Sequence, residues 1–167
     1  EDSYDIDVSH GIALLVDGMG GANAGDIAGA FVRENLYKSL RQGDRPVDAL
    51  VNTGQALRIQ RPQQGTSPCG ASAVAVRFDD KTLSSAWLGT CRSLHCNGTK
   101  TRVLTPLGTQ ENKSGGVGTI QALGLTATDK LSLIEAEEPW QRGHALLLCT
   151  DELLAAAWPG LVVEENN

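Results

Sequence analysis

Aromatic side chains are scarce in this sequence: three Trp, two Tyr and two Phe make up 4% of 167 residues. The core must therefore be built from aliphatic and small residues, with 19 glycines allowing tight turns and close backbone approach. Bases are also in short supply, with 14 Lys and Arg against 20 Asp and Glu and a net charge of −6. That balance excludes the usual route to nucleic acid, in which Lys and Arg neutralise phosphates. It suits acids that gather around hard cations. Cysteine is limited to Cys69, Cys91, Cys96 and Cys149, with no C-x-x-C pair and only three histidines beside them. This spacing does not make a structural zinc site, and reduced thiols in a cytoplasmic protein are expected. No apolar run reaches the ~18 residues of a membrane span and no signal peptide opens the chain, so no membrane partner is expected. The sequence starts at Glu1, not methionine, so part of the natural N-terminus is expected to precede it.

What is present organises itself as one domain, since a chain of ~150 residues already buries roughly 70% of its unfolded surface. Residues 11–16, GIALLV, are a nearly continuous apolar run suited to a strand buried on both faces. A helix is predicted over 24–42, where Ala28, Val32, Leu36 and Leu40 recur every four residues and Gly43 supplies a stop. A second is predicted over 47–59, with Pro46 near its first turn. Residues 61–70 read as a loop, followed by strands at 71–78, 82–89, 92–96 and 101–105, with a hairpin turn at Asn97-Gly98. The middle of the chain thus reads as an antiparallel meander. Residues 106–118 read as a mobile loop, and IQALG and KLSLIEAE as weaker elements. HALLLCT at 144–150 is another buried strand, and a short helix is expected from Leu153 to Trp158. The order argues for an α+β domain with helices packed on largely antiparallel sheet.

Two acids stand out because each follows an apolar strand: Asp17 after ALLV and Asp151 after LLLCT. Acids at strand ends are held at the rim of a sheet, and two side by side repel unless a cation lies between them. Hard Mg²⁺ or Mn²⁺ suits carboxylates, backbone carbonyls and water. A turn or a helix cap is the competing reading of an Asp before Gly. The glycines after Asp17 match neither nucleotide motif: Asn23 stands where G-x-G-x-x-G needs glycine, and Asp26 where the phosphate loop needs lysine. Thr66 and Ser67 have no His and acid placed to activate them. His10, His95 and His144 are read as scattered surface or strand residues, Cys149 as buried and inert, and Trp87, Trp140 and Trp158 as packing.

At VDGMGG (16–21), before a helix of small residues, the sequence resembles the metal-dependent protein phosphatases of the protein phosphatase 2C type. Further segments fall in the family's order: Glu1-Asp2-Ser3, GTSPCGASAVAV at 65–76, WLGTCRSL at 87–94, TIQALG at 119–124 and HALLLCTDEL at 144–153. The resemblance covers nearly the whole chain. It implies a central β-sandwich of two antiparallel sheets flanked by helices, with two metal ions at one edge. It also implies that Asp17 bridges two Mg²⁺ or Mn²⁺ ions, that the Gly18 carbonyl binds one of them, that Asp151 binds the other and that Asp2 holds metal-bound water. The implied reaction is hydrolysis of phosphoserine and phosphothreonine in a phosphorylated protein by a metal-activated water, with Asp2 and Asp17 as the catalytic acids.

Several positions depart from the family pattern. Thr90 and Cys91 replace an Asp-Ser pair, and losing that acid argues against a third metal site. Glu152 replaces the glycine after Asp151, and residues 107–118 are short for the family's flap. The sequence stops at Asn167 without the family's final Asp-Asn motif, so residues 1–167 read as a single domain lacking part of the flap and that C-terminal metal-binding segment. Glu164 and Glu165 are poor substitutes for it, and the arginine that helps hold phosphate in the family has no counterpart here. The alternative function is therefore a weak or inactive phosphatase-like domain that binds a phosphoprotein or regulator, and a scaffold without ligand is a third reading. Exposed strand edges left by missing segments predict a tendency to form homodimers.

Overall fold

The structure, a computed structural model, describes residues 2–21, 23–60, 69–105, 121–150 and 153. Its first sheet holds five antiparallel strands in the order β1-β2-β3-β4-β7: β1 (Asp2–Asp7), β2 (Ile12–Met19), β3 (Gly70–Phe78), β4 (Thr82–Leu88) and β7 (Ile134–Pro139). The second holds three, in the order β6-β5-β8: β5 (Arg92–Cys96), β6 (Thr101–Val103) and β8 (Ala145–Cys149). Helices α1 (Ala24–Gln42) and α2 (Pro46–Gln60) pack on the first sheet. The α+β fold class and the two antiparallel sheets agree with the expectation from sequence, and both described helices lie on one face of the five-stranded sheet.

Alternation along β2 builds the layers. Ile12, Leu14 and Val16, all fully buried, face the helices and meet Ala28, Val32, Leu36 and Leu40 of α1 in one core. Ala13 and Leu15 point the other way, into a second core with Val74, Val76, Trp87 and Leu104 between the sheets. The four-residue spacing on α1 therefore performs as read: all four stripe residues have no exposed surface. Ala24, Gly25 and Gly29 on the same helix are buried as well, so that α1 lies close against the sheet. Asp26 in its first turn and Arg41 in its last complement the helix dipole.

Three features differ from the sequence reading. An acidic segment, DSYDID, forms edge strand β1, because Asp5 and Asp7 face α1 and find donors there. Arg33 donates to Asp5 at 2.9 Å and Tyr37 to Asp7 at 2.7 Å. Second, β2 does not stop before Asp17: pairing with β3 continues through Met19, so Asp17 lies within the strand. Third, the middle strands do not form one meander. β3 and β4 make one hairpin and β5 and β6 another, but between them the chain crosses from the first sheet to the second through Gly89–Cys91. The loop expected at 106–118, Thr66 and Ser67, and the helix expected from Leu153 to Trp158 (Leu153 apart, which is helical) lie outside the described residues.

Candidate metal centre

Register brings the first two site residues together. Asp2 of β1 stands directly opposite Asp17 of β2, and Asp17 stands opposite Ser72 of β3. Residues paired in this way project to the same face of a sheet, with Cβ atoms about 4.5–5.5 Å apart. Asp2, Asp17 and Ser72 thus form one polar row across three strands, on the face turned toward the second sheet. Asp2 is exposed, Asp17 half-buried and Ser72 fully buried, so the row runs from solvent into the sandwich. Like charges directly opposite on neighbouring strands are destabilising unless something of opposite charge joins them.

The sheet-to-sheet crossover closes over this row. Gly89 has φ of +85°, and a Cβ there would lie 2.3 Å from Ser72 Oγ, so only glycine brings the crossover down to Ser72. The Thr90 N–H donates to Ser72 Oγ at 3.2 Å, and the two hydroxyls are also 3.2 Å apart. Thr90 Oγ1 in turn donates to Asp17 Oδ2 across a longer 3.4 Å. The Arg92 guanidinium ties the crossover from the other side, donating to the carbonyls of Gly89 and Cys91 at 3.1 Å each.

Cys91 reports on the electrostatics of this spot. Its thiol is fully buried, and burial pushes its pKa far above the ordinary value, with the charges of Asp17 and then Asp2 acting in the same direction. The Asp17 backbone N–H and Arg92 oppose this more weakly. Cys91 is thus a neutral thiol, and both carboxylates act on it from close by.

Gly18, buried and paired with Ala71, follows Asp17 in the β2–β3 ladder. Asp151 lies outside the described residues, as does Glu152. The strand before it is described: β8 runs antiparallel to β5 and places Cys149 opposite Arg92, beside the crossover. Among the described residues no group of three His, Cys, Asp or Glu side chains is placed to hold a metal ion. The donor set that is present, two carboxylates in direct register plus backbone oxygen, still fits a hard cation. Mg²⁺ in particular keeps several waters and takes only one or two protein carboxylates.

Sequence reasoning missed a second cluster at the opposite end of the sandwich. His95 Nε2 and His144 Nδ1 are 2.9 Å apart, and Trp140 packs on both rings, with centroids at 5.7 and 5.8 Å. Arg102 pairs there with the buried Glu138. His95, a strand residue as read, and His144 are thus in contact, although 49 residues separate them and no local pattern links them, while His10 lies apart beside Asp7. All four cysteines are thiols outside any disulfide, and Cys149 is buried as expected.

No family model matches the sequence, and no curated protein matches it. Solved structures do. PppA, described as a key regulatory component of T6SS in Pseudomonas aeruginosa, superposes with a TM-score of 0.73 at 21% identity, over 99% of this chain and 78% of that one. The Mycobacterium tuberculosis serine/threonine phosphatase PstP/Ppp gives 0.72 at 19% identity, over 91% and 72%. The catalytic domain of PstP in complex with two manganese ions gives 0.72 at 20%, over 91% and 71%. The chain has a protein phosphatase 2C-like fold in compact form.

Proposed function

We propose that this chain is a metal-dependent phosphatase that hydrolyses phosphoserine and phosphothreonine in proteins. The observation that carries the reading is the direct register of Asp2 and Asp17 on a phosphatase-like fold. A structural role for the pair would leave two facing carboxylates that weaken the β1–β2 ladder, whereas a cation between them turns repulsion into attachment.

In this reading Asp17 and Asp2 hold Mg²⁺ or Mn²⁺, with the Gly18 carbonyl beside them and Asp151 contributed from beyond the end of β8. The manganese-bound PstP domain supports the choice of ions. When bound, the ions supply a water of lowered pKa and positive charge against the phosphoryl oxygens. The chain's own contribution is placement: β1 and β2 fix the two carboxylates, and the buried side of the row, Ser72 and Cys91, keeps water from their inner face. With acids on the protein and cations in the site, the phosphate is drawn by the ions and not by basic side chains.

The test is hydrolysis of phosphoserine and phosphothreonine peptides with Mn²⁺, with EDTA, and with Asp17→Asn. Turnover that needs Mn²⁺ and disappears in Asp17→Asn is expected. Turnover indifferent to both overturns the metal mechanism.

A second reading is favoured by Thr90, which stands where the family pattern has an acid. It makes the chain a domain that holds a phosphoprotein or a regulator without turning it over, and PppA, a regulatory component, shares the fold. Retention of a phosphopeptide with no release of phosphate distinguishes it. Homodimer formation through strand edges remains part of the proposal, since Tyr4 and Ile6 on edge strand β1 are 68% and 66% exposed. A mass of two chains by light scattering is the expected result.

A further inference from the structure

We infer that Thr90 is a positioning residue for Asp17, acting with Ser72 as a neutral hydroxyl clamp that replaces a charged group at the metal centre. The inference rests on the metal reading of Asp17 given above.

Hydrogen counting supports the clamp. The Thr90 N–H occupies one lone pair of Ser72 Oγ at 3.2 Å. Two hydroxyl hydrogens remain for the 3.2 Å contact between the two oxygens and the 3.4 Å contact to Asp17 Oδ2. One arrangement uses each hydrogen once: Ser72 donates to Thr90, and Thr90 donates to Asp17. Asp17 then receives a bond at one carboxylate oxygen, which fixes how the group is turned. The clamp is itself anchored. Ser72 is fully buried in β3, Gly89 presses the crossover onto it, and Arg92 holds the carbonyls on either side of Thr90.

The chemistry differs from that of an acid at the same position. A carboxylate at Thr90 would add negative charge and a further ligand, whereas a hydroxyl can only orient Asp17 and soften its charge. Thr90 therefore suits a site with a fixed carboxylate. Partners of this kind, one step behind the ligand, typically change metal affinity by about 10–100-fold when removed.

The experiment measures Mn²⁺ affinity by electron paramagnetic resonance and calorimetry in the full chain, with kcat and KM measured alongside. Thr90→Val is expected to weaken Mn²⁺ binding about tenfold, and Thr90→Ser, which keeps the hydroxyl, to restore it. Ser72→Ala, which leaves the Thr90 side chain whole, is expected to shift affinity in the same direction. Unfolding curves of all three check that each is folded. Equal Mn²⁺ affinity in wild type and Thr90→Val overturns the clamp. So does equal weakening in Thr90→Ser and Thr90→Val, because packing and not the hydroxyl would then be responsible. Absence of Mn²⁺ binding in the wild type is a separate result: it removes the metal reading, and the clamp with it.

Discussion

At one end of the sandwich Asp2 and Asp17 face each other across two strands, while at the other Arg102 meets Glu138 and His95 meets His144. The second end balances itself: its buried Glu138 has an arginine, and the rings of His95 and His144 hydrogen-bond to each other. The acidic end brings two carboxylates into register beside a buried thiol and hydroxyls, with the Arg92 guanidinium bound to carbonyls of the crossover. β1 shows the same contrast within six residues. Its Asp5 and Asp7 are met by Arg33, Arg41, Tyr37, Ser9 and His10 on the helical side. Asp2, on the other face, stands opposite another acid. Balanced charge maintains a fold; in the proposed reading, a cation completes the like-charged pair that the sheet holds in register.

The sharpest way to break this comparison is Asp17→Asn. Turnover of a phosphopeptide is expected to fall by more than about 100-fold, since losing even an outer partner of a metal costs about 10–100-fold. Stability in EDTA is expected to rise, because the substitution removes one of two facing charges. Activity and metal-free stability thus move in opposite directions. If urea unfolding in EDTA shows Asp17→Asn less stable than wild type, the pair is not a repulsive one.

A pair of glycine substitutions separates the two ends. Gly89 at the acidic end and Gly11 at the other both have positive φ, +85° and +62°. A Cβ would meet Ser72 Oγ at 2.3 Å in the first case and the Phe78 carbonyl oxygen at 1.8 Å in the second. Each change to alanine is expected to destabilise by at least about 1–3 kcal/mol, read from urea midpoints. Only Gly89→Ala is expected to weaken Mn²⁺ binding as well, because only it lifts Thr90 away from Asp17. A matching loss of metal affinity in Gly11→Ala would mean that the ends are coupled through the core.

Much of this architecture was legible from local pattern. The apolar run of β2, the four-residue stripe of α1 and the Asn97-Gly98 hairpin each declare themselves within a few residues. Asp17 stands out in the sequence as an acid after an apolar run, but backbone pairing carries the strand past it to Met19. β1 was not, because its alternation sets aspartates against Tyr4 and Ile6, and the acids make sense only once α1 supplies their donors. The crossover was hidden for a similar reason: LGTCR reads as a turn within a meander until Ser72 shows why Gly89 must approach it. The His95–His144 contact is purely tertiary and leaves no trace in spacing.

That contact makes the smallest prediction, a pH dependence belonging to the balanced end alone. Burial, then the neighbouring His144, holds the His95 pKa below its ordinary 6.5; Arg102 acts in the same direction and Glu138 opposes. Lys100 lines the same pocket. A histidine whose pKa is lowered by folding binds fewer protons folded than unfolded just below pH 6.5, so stability rises with pH there and falls on acidification. Two protonated rings 2.9 Å apart would have no acceptor between them, which gives the loss its structural form. Asp7 and Asp79 do not mimic this. Asp7, held far below 3.8 by Ser9, Tyr37 and His10, and Asp79, lowered by the N–H groups of Lys81 and Thr82, contribute stability that is lost only in more acidic solution. Urea unfolding at pH 7.5, 6.5 and 5.5 is expected to show a decline in wild type that flattens in His95→Phe, where the titrating ring is gone and Trp140 keeps an aromatic neighbour. A decline of equal slope in the variant would place the titration elsewhere and leave the histidine pair as packing alone.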